Sequence, residues 1–279
     1  PTIVNMSWGY LGEQAGNPAS GTYRGTPWTF DLADNILDLY GLPGAIYSGS
    51  ARYPVQVSAV DAEIEDMIDA GIHICLAAGN DFYKADVVAG DDYNNTYSIG
   101  SGNKFYHRGS SPYGDAAMDG SQRAIIVGNI DSSVSSGTLD RKATSSETGP
   151  GVDIYAAGTN IMSSTSTTNR WGGGSQNYTL NTNFKQTNIT GTSMASPQVA
   201  GVLACILELH PEFTPAQGKQ WLLDNAGSAI LNTGTGNDWT NDRSLKGGEA
   251  KVLYMPFSNP IPIKVTGLPV TFNLSIKER

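Results

Sequence analysis

The most regular hydrophobic pattern in the chain lies over residues 60–78. Val60, Ile64, Met67 and Ile68 recur at helical spacing, so the pattern predicts an amphipathic helix with its acidic residues turned away from the core. Gly71 is the predicted stop. Residues 72–78 then form a short apolar run of the kind a parallel sheet buries on both faces, ending at Gly79-Asn80. Polar residues at the carboxyl end of such a strand stand where open α/β sheets place their ligand crevice.

Similar apolar runs predict strands over 2–7, 123–130 and 152–158, and residues 198–207 read as an apolar helix. Thr214-Pro215-Ala216-Gln217 has the form of a helix N-terminus leading into Trp221-Leu222-Leu223. Between these elements the pattern fails. Residues 10–57 and 81–122 are rich in Gly, Tyr, Asn, Asp and Ser and read as long loops, apart from one short helix over 30–39. Residues 159–190 carry scattered apolar anchors (Ile161, Met162, Trp171, Tyr178, Leu180, Phe184, Ile189) and predict short hairpin strands. The end of the chain reads as β-rich, with strands over 251–254, 261–265 and 270–276 broken by Pro256, Pro260, Pro262 and Pro269.

The candidate chemistry sits just before the 198–207 helix, in Gly191-Thr192-Ser193-Met194-Ala195-Ser196-Pro197. Thr192, Ser193 and Ser196 offer hydroxyls at a helix start, and Pro197 is expected in the first turn, where its missing N–H costs nothing. A serine there has its amide at the positive end of the helix dipole, which suits a nucleophile beside developing negative charge. Taken as chemistry alone, the stretch is equally an ordinary capped helix.

Composition narrows the classes. The 279 residues carry a formal net charge of −9, which disfavours nucleic-acid and anionic-membrane partners. An apolar content of 39% opposes wholesale disorder, and 15% charged residues with abundant Gly, Ser, Thr and Asn suit an extracellular or secreted domain. Two cysteines, Cys75 and Cys205, are too few for a disulfide scaffold; both sit in apolar runs and read as buried thiols, with a bridge between them left open. No run of 18 apolar residues is present, so no membrane span is expected. The chain opens at Pro1 directly into a strand-like segment, which reads as a fragment or a processed product.

The literal string 191–197 resembles the nucleophile motif of the subtilisin-like serine proteases, with Ser193 at the nucleophile. The resemblance extends over about residues 1–230. Ile3-Val4-Asn5-Met6-Ser7-Trp8-Gly9 resembles the strand bordering the substrate cleft, and Leu76-Ala77-Ala78-Gly79-Asn80 the strand end whose Asn completes an oxyanion hole. Residues 125–131 and 151–158 resemble the next two strands. The resemblance implies a three-layer α/β fold with a mostly parallel sheet over 1–245, carrying insertions near 10–57, 81–120 and 159–190, and leaves 246–279 as a β-rich tail suited to docking. It implies Ser193 and Asn80 as catalytic residues, and Ser7, Trp8, Gly9, Ala77, Ala78, Gly79 and Thr192 as substrate-binding. Ser7 and Gly9 would pair with an extended peptide as an added strand. Trp8 is bulkier than the small or aliphatic residue expected there, so it either reshapes an apolar subsite or packs in the core.

A serine needs a base and the base an orienting acid. In the family both precede the Asn-Met-Ser strand, and neither an Asp-Thr-Gly-like nor a His-Gly-Thr-like motif is in this sequence. Among the histidines, His73 reads as a core residue, His107 as a solvated loop residue beside Arg108, and His210 as a helix-end cation. Gln198 replaces the His common after Ser-Pro, a position outside the triad. One expectation is therefore a serine endopeptidase working on polypeptide through an acyl-enzyme, with its Asp and His on an upstream segment or chain. The other is a non-catalytic structural or assembly module on the same scaffold, such as a virion or cell-surface component docking through its tail. No cofactor is required. The resemblance implies calcium as a structural stabiliser, for which Asp86, Asp91, Asp92, Asn94 and Asn95, or Asn237, Asp238, Asn241 and Asp242, offer oxygens; neither set has EF-hand spacing, and solvated turns are the expected reading, with no metal site assigned.

Overall fold

The computed structural model describes residues 1–15, 20–29, 50–98, 102–112, 123–131, 140–165, 175–228, 230–231 and 244–254. The helix expected over 30–39, Trp171, the oxygens at 237–242 and the strands beyond 254 lie outside them.

A mainly parallel sheet carries the site. Its strands β1 (Thr2–Met6), β6 (Ile72–Ala77), β9 (Ile125–Asp131) and β11 (Ile154–Ala157) run parallel in that order, with Thr2 beside Ile72, Cys75 beside Ile125 and Ile154 beside Val127. β10 (Asp140–Lys142) joins β9 antiparallel and pairs in turn with β15 (Ile230–Leu231). Residue parity divides the sheet. Ile74, Leu76 and Ile126 turn to one face and pack with Ile64 and Ile68 of helix α1 (Ser58–Asp69). Cys75, Ile125, Val127 and Ile154 turn to the other, against Ala195, Val199, Leu203 and Leu207 of helix α2 (Thr192–Leu209) and Leu222 of helix α3 (Pro215–Asp224). Helix, sheet and helix make the three layers of the expected α/β fold.

The local signals hold for most of this frame. Gly71 ends the first helical segment at φ +85°, a conformation that favours glycine. Thr214 and Gln217 form the reciprocal capping box of α3. One acid of α1 departs from expectation: Asp61 is buried, accepting from Gln56 Nε2 at 3.0 Å. By length and mean hydropathy, 1.3 over 18 residues, α2 could cross a membrane; here its apolar side lies on the sheet. Cys75 is buried and Cys205 half-buried, and both are free thiols.

The stretches read as loops are largely small antiparallel sheets. β2 (Leu11–Ala15) pairs with β5 (Ser50–Pro54). β3 (Ser20–Tyr23) and β4 (Thr26–Thr29) form a hairpin whose two turn residues, Arg24 and Gly25, both have positive φ (48° and 78°), the twist such turns need. β3 pairs on its other edge with β7 (Thr96–Ser98), which pairs with β8 (Asn103–Phe105). The expected hairpins of 159–190 are β12 (Ile161–Thr165), β13 (Gln176–Asn177) and β14 (Lys185–Ile189). After α3, Lys251 and Leu253 hydrogen-bond through their backbones to Tyr155 of β11.

Beside the β3–β4 turn, an ionic cluster around the buried Asp86 and Asp92, with the buried His107 next to it, overturns two expectations. Asp92 accepts from Arg24 and from Lys84 Nζ (2.7 Å), and Lys84 also reaches Asp86 (3.1 Å). Burial alone would raise the Asp92 carboxyl, but these two cations outweigh it and hold it well below the usual carboxylate range. Asp86 further accepts the amides of Val87 and Asp92. Asp86 and Asp92 are thus buried and ion-paired rather than the solvated turn expected, and with their oxygens taken by ammonium, guanidinium and amide donors they do not fit a calcium site. His107 is not solvated. It is buried, its Nδ1 is 3.0 Å from Asn95 Nδ2, the Tyr106 ring packs against it with centres 4.3 Å apart, and burial pushes its pKa down to about 3.

Candidate active site

The carboxyl ends of β1 and β6 and the start of α2 meet at one side of the sheet. Gly191, the N-cap of α2, has no side chain to cap the helix. Asn80 does so from across the crevice: its Oδ1 accepts from Thr192 N at 2.8 Å and from Thr192 Oγ1 at 3.2 Å. Thr192 Oγ1 in turn accepts from Gly79 N at 3.1 Å. Thr192, fully buried, therefore fastens the strand end to the helix start. These bonds occupy the oxygen of the Asn80 carboxamide and fix which end is which. The Asn80 NH2 and the Ser193 N–H, the second amide of the helix, have no acceptor among the described residues.

The other side of Ser193 is tied to β1. Its Oγ donates to the Ser7 carbonyl at 3.2 Å, while Ser7 Oγ donates to the Ser193 carbonyl at 2.8 Å. The second bond follows from Pro197. The helix begins at Thr192, so Pro197 is its sixth residue, not in the first turn as expected. A proline there has no N–H for the carbonyl four residues back, which is that of Ser193. The Ser7 hydroxyl supplies the missing donor. A directed chain continues outward: Ser196 Oγ donates to Asn5 Oδ1 at 2.7 Å, and Asn5 Nδ2 donates to Ser7 Oγ at 2.9 Å. Gln198, on the next turn, donates to the Ala157 carbonyl and binds α2 to β11.

Ser193, Asn80 and Thr192 line an open cleft of about 420 Å³ with Trp8, Gly9, Leu11, Ala77, Gly79, Asp81 and Ser110. Of the predicted binding residues, Ala78 is buried behind this surface and Ser7 contacts Ser193 from the side. Trp8 is 47% exposed and meets Tyr10 edge-on with ring centres 5.4 Å apart, so core packing does not explain it. None of the three histidines lines the cleft. His73 is buried with Nε2 3.2 Å from the Phe213 carbonyl, and burial lowers its pKa. His210 caps the C-terminal end of α2, as its position suggested, and stacks on Phe213 with ring centres 4.6 Å apart.

One residue of the cleft wall, and the residue that holds it from behind, escaped the sequence. Ser110 comes from a segment read as loop. Its amide donates to Glu147 Oε2 at 3.1 Å, and its hydroxyl to Glu147 Oε1. Glu147 is fully buried; burial pushes its carboxyl up to about 8, against the opposing pull of the Ser110 bonds. A glutamate in Ser-Ser-Glu-Thr-Gly-Pro looks like a solvated turn, and only Gly79 hinted at crowding. At φ +122°, a Cβ on Gly79 would fall 2.2 Å from Ser110 Oγ and 2.4 Å from Glu147 Oε1.

The relatives agree with this frame. The subtilase family model matches residues 1–247. A subtilisin-like protease of Coccidioides posadasii is 35% identical over 153 residues, 55% of this chain and 21% of that protein. The subtilisin-like serine protease Pen c 2 of Penicillium citrinum is 31% identical over 198 residues, 68% of this chain and 33% of its own. Subtilisin-like protease 3 of Saccharomyces cerevisiae is 30% identical over 203 residues, 70% and 32% respectively. The chain thus spans a third or less of the length of these relatives. The crystal structure of a cold-adapted subtilisin-like serine proteinase is similar to 72% of this chain and 51% of its own, at 24% identity and a TM-score of 0.42. Matched over nearly all of the region that builds the sheet, its flanking helices and the cleft, the chain belongs to the subtilase family of serine peptidases.

Proposed function

We propose that these residues form the nucleophile and oxyanion-binding half of a serine endopeptidase centre. The observation that carries this is the pair of unpartnered donors, Ser193 N–H and Asn80 NH2, beside the Ser193 hydroxyl in one cleft. When Ser193 Oγ adds to a peptide carbonyl, a C–O bond forms and the carbonyl oxygen becomes an anion that these donors stabilise. The Oγ proton passes to a base and then to the leaving amine as the C–N bond breaks; water next cleaves the ester and frees the serine. Removing a side-chain donor such as Asn80 costs about 10²–10³ in rate, a magnitude measured on a subtilisin itself and so borrowed from a relative. Ser7-Trp8-Gly9 offers backbone to an extended peptide, with Trp8 shaping an apolar subsite. The polypeptide substrate, an upstream segment supplying Asp and His, and an extracellular setting belong to the same proposal.

One observation favours the non-catalytic alternative. The Ser193 hydroxyl donates to a backbone carbonyl rather than to a base, and no histidine of this chain lines the cleft. A fluorophosphonate probe distinguishes the two readings. The full-length protein is expected to be labelled at Ser193 and the Ser193→Ala variant not; absence of labelling in the full-length protein refutes the peptidase reading.

A further inference from the structure

The cleft wall is held from behind by a carboxyl that no substrate would touch. Three segments converge on the Ser110 region: the exit of β1 at Gly9-Tyr10, the exit of β6 at Gly79, and the segment carrying Glu147. Ser110 accepts from the Tyr10 amide through its carbonyl at 3.2 Å. A Cβ on Gly9 would meet that same carbonyl oxygen at 1.9 Å, so β1 closes directly onto it. The Glu147 amide donates to the Gly79 carbonyl at 3.0 Å. Glu147 thus holds Ser110 with its side chain and the β6 exit with its backbone.

We propose that Glu147 is a positioning residue that sets the width of the substrate cleft by clamping Ser110 against Gly9, Tyr10 and Gly79. The proposal rests on the peptidase reading for the identity of the ligand, though not for the clamp itself. Glu147 is absent from the cleft surface, while Ser110, Gly79 and Gly9 line it. The clamp therefore acts on substrate through the wall, on the side of the cleft where Trp8 stands. Its chemistry favours a neutral carboxyl. The site is fully buried, and the charged groups that face it are Asp81, which disfavours ionisation, and Lys246, which favours it. Lys246 is already engaged with the Phe82 carbonyl at 3.1 Å. When protonated, Glu147 still accepts the Ser110 amide with one oxygen, and its O–H can donate to the Ser110 hydroxyl, whose own proton then turns to the Ala78 carbonyl; glutamine reproduces this pair of bonds and alanine cannot.

The test compares Glu147→Gln and Glu147→Ala in the full-length protein. Loss of two hydrogen bonds to Ser110 in Glu147→Ala is expected to raise KM about tenfold for an extended peptide while kcat stays within about twofold. Glu147→Gln is expected to restore the wild-type KM. A second readout needs no catalysis: hydrogen exchange at the Tyr10 amide should quicken in Glu147→Ala and not in Glu147→Gln. Unchanged Tyr10 exchange in the folded Glu147→Ala variant, or a KM equal to wild type, overturns the proposal. A wild-type protein unlabelled by fluorophosphonate would instead remove the peptidase reading, and the exchange measurement would still decide whether Glu147 holds the wall.

Discussion

Replacing Ser7 with alanine isolates the contribution of the bond that compensates for Pro197. The Ser7 hydroxyl is the donor found for the Ser193 carbonyl, at 2.8 Å, in the place of the amide that proline lacks. A made hydrogen bond contributes about 1 kcal/mol net, and an acceptor stranded out of water costs about 1–3 kcal/mol. Ser193 is half-buried, so water relieves part of that cost, and Ser7→Ala should destabilise by about 1–2 kcal/mol. The same substitution should cost less than about 0.5 kcal/mol in a Pro197→Ala background, because residue 197 then has an amide that points at the Ser193 carbonyl along the helix. Urea denaturation followed by far-ultraviolet circular dichroism on the four proteins of the cycle gives the coupling. At about 2–4 °C per kcal/mol, the single variant should also melt several degrees below wild type. Equal costs of Ser7→Ala on both backgrounds would show that the hydroxyl does not stand in for the missing amide, and the reasoning would fail.

Three further outcomes follow from packing and charge. Leu203, fully buried between α2 and the sheet, should cost about 2–5 kcal/mol as Leu203→Ala, read from the urea midpoint. His107 stays neutral in the folded protein down to about pH 3, whereas the unfolded chain takes up its proton near pH 6.5. Stability should therefore be intact above about pH 6.5 and fall as pH drops from there toward 3, and His107→Gln should flatten that slope in denaturation curves measured across the range. Chelator should leave the melting temperature unchanged as far as Asp86 and Asp92 are concerned, since both carboxylates are already paired with Lys84 and Asp92 also with Arg24; a drop that Asp92→Asn abolished would contradict this.

What could be read without coordinates follows the physics of each segment. β6 was legible because a strand covered on both faces must be apolar throughout, and Cys75 and Leu76 satisfy the two sides of the sheet at once. The Ser193 string was legible because seven neighbouring positions together match the family's nucleophile motif, a far more restrictive signal than a capped helix start. The sheets of 20–29 and 96–105 were not. Ser20-Gly21-Thr22 carries no period, and its pairing with residues 96–98 is decided by a partner more than seventy positions away. His107 and Glu147 share that difficulty. Both are polar residues in polar stretches, and their burial is imposed by other segments folding over them. Pro197 was placed one turn too early because the helix boundary depends on Asn80, a cap that arrives from a different strand.

That borrowed cap ties the proposed site to the order of assembly. The bonds from Thr192 to Asn80 and from Gly79 to Thr192 join residues 112 and 113 positions apart, so neither half of the site can be shaped before β6 and α2 have docked. Local structure forms quickly and such distant closures late. A chain caught part-way along its folding route would own both the hydroxyl and the carboxamide yet hold them in unrelated places. A protein with this wiring cannot assemble the proposed oxyanion site until its tertiary structure is essentially complete.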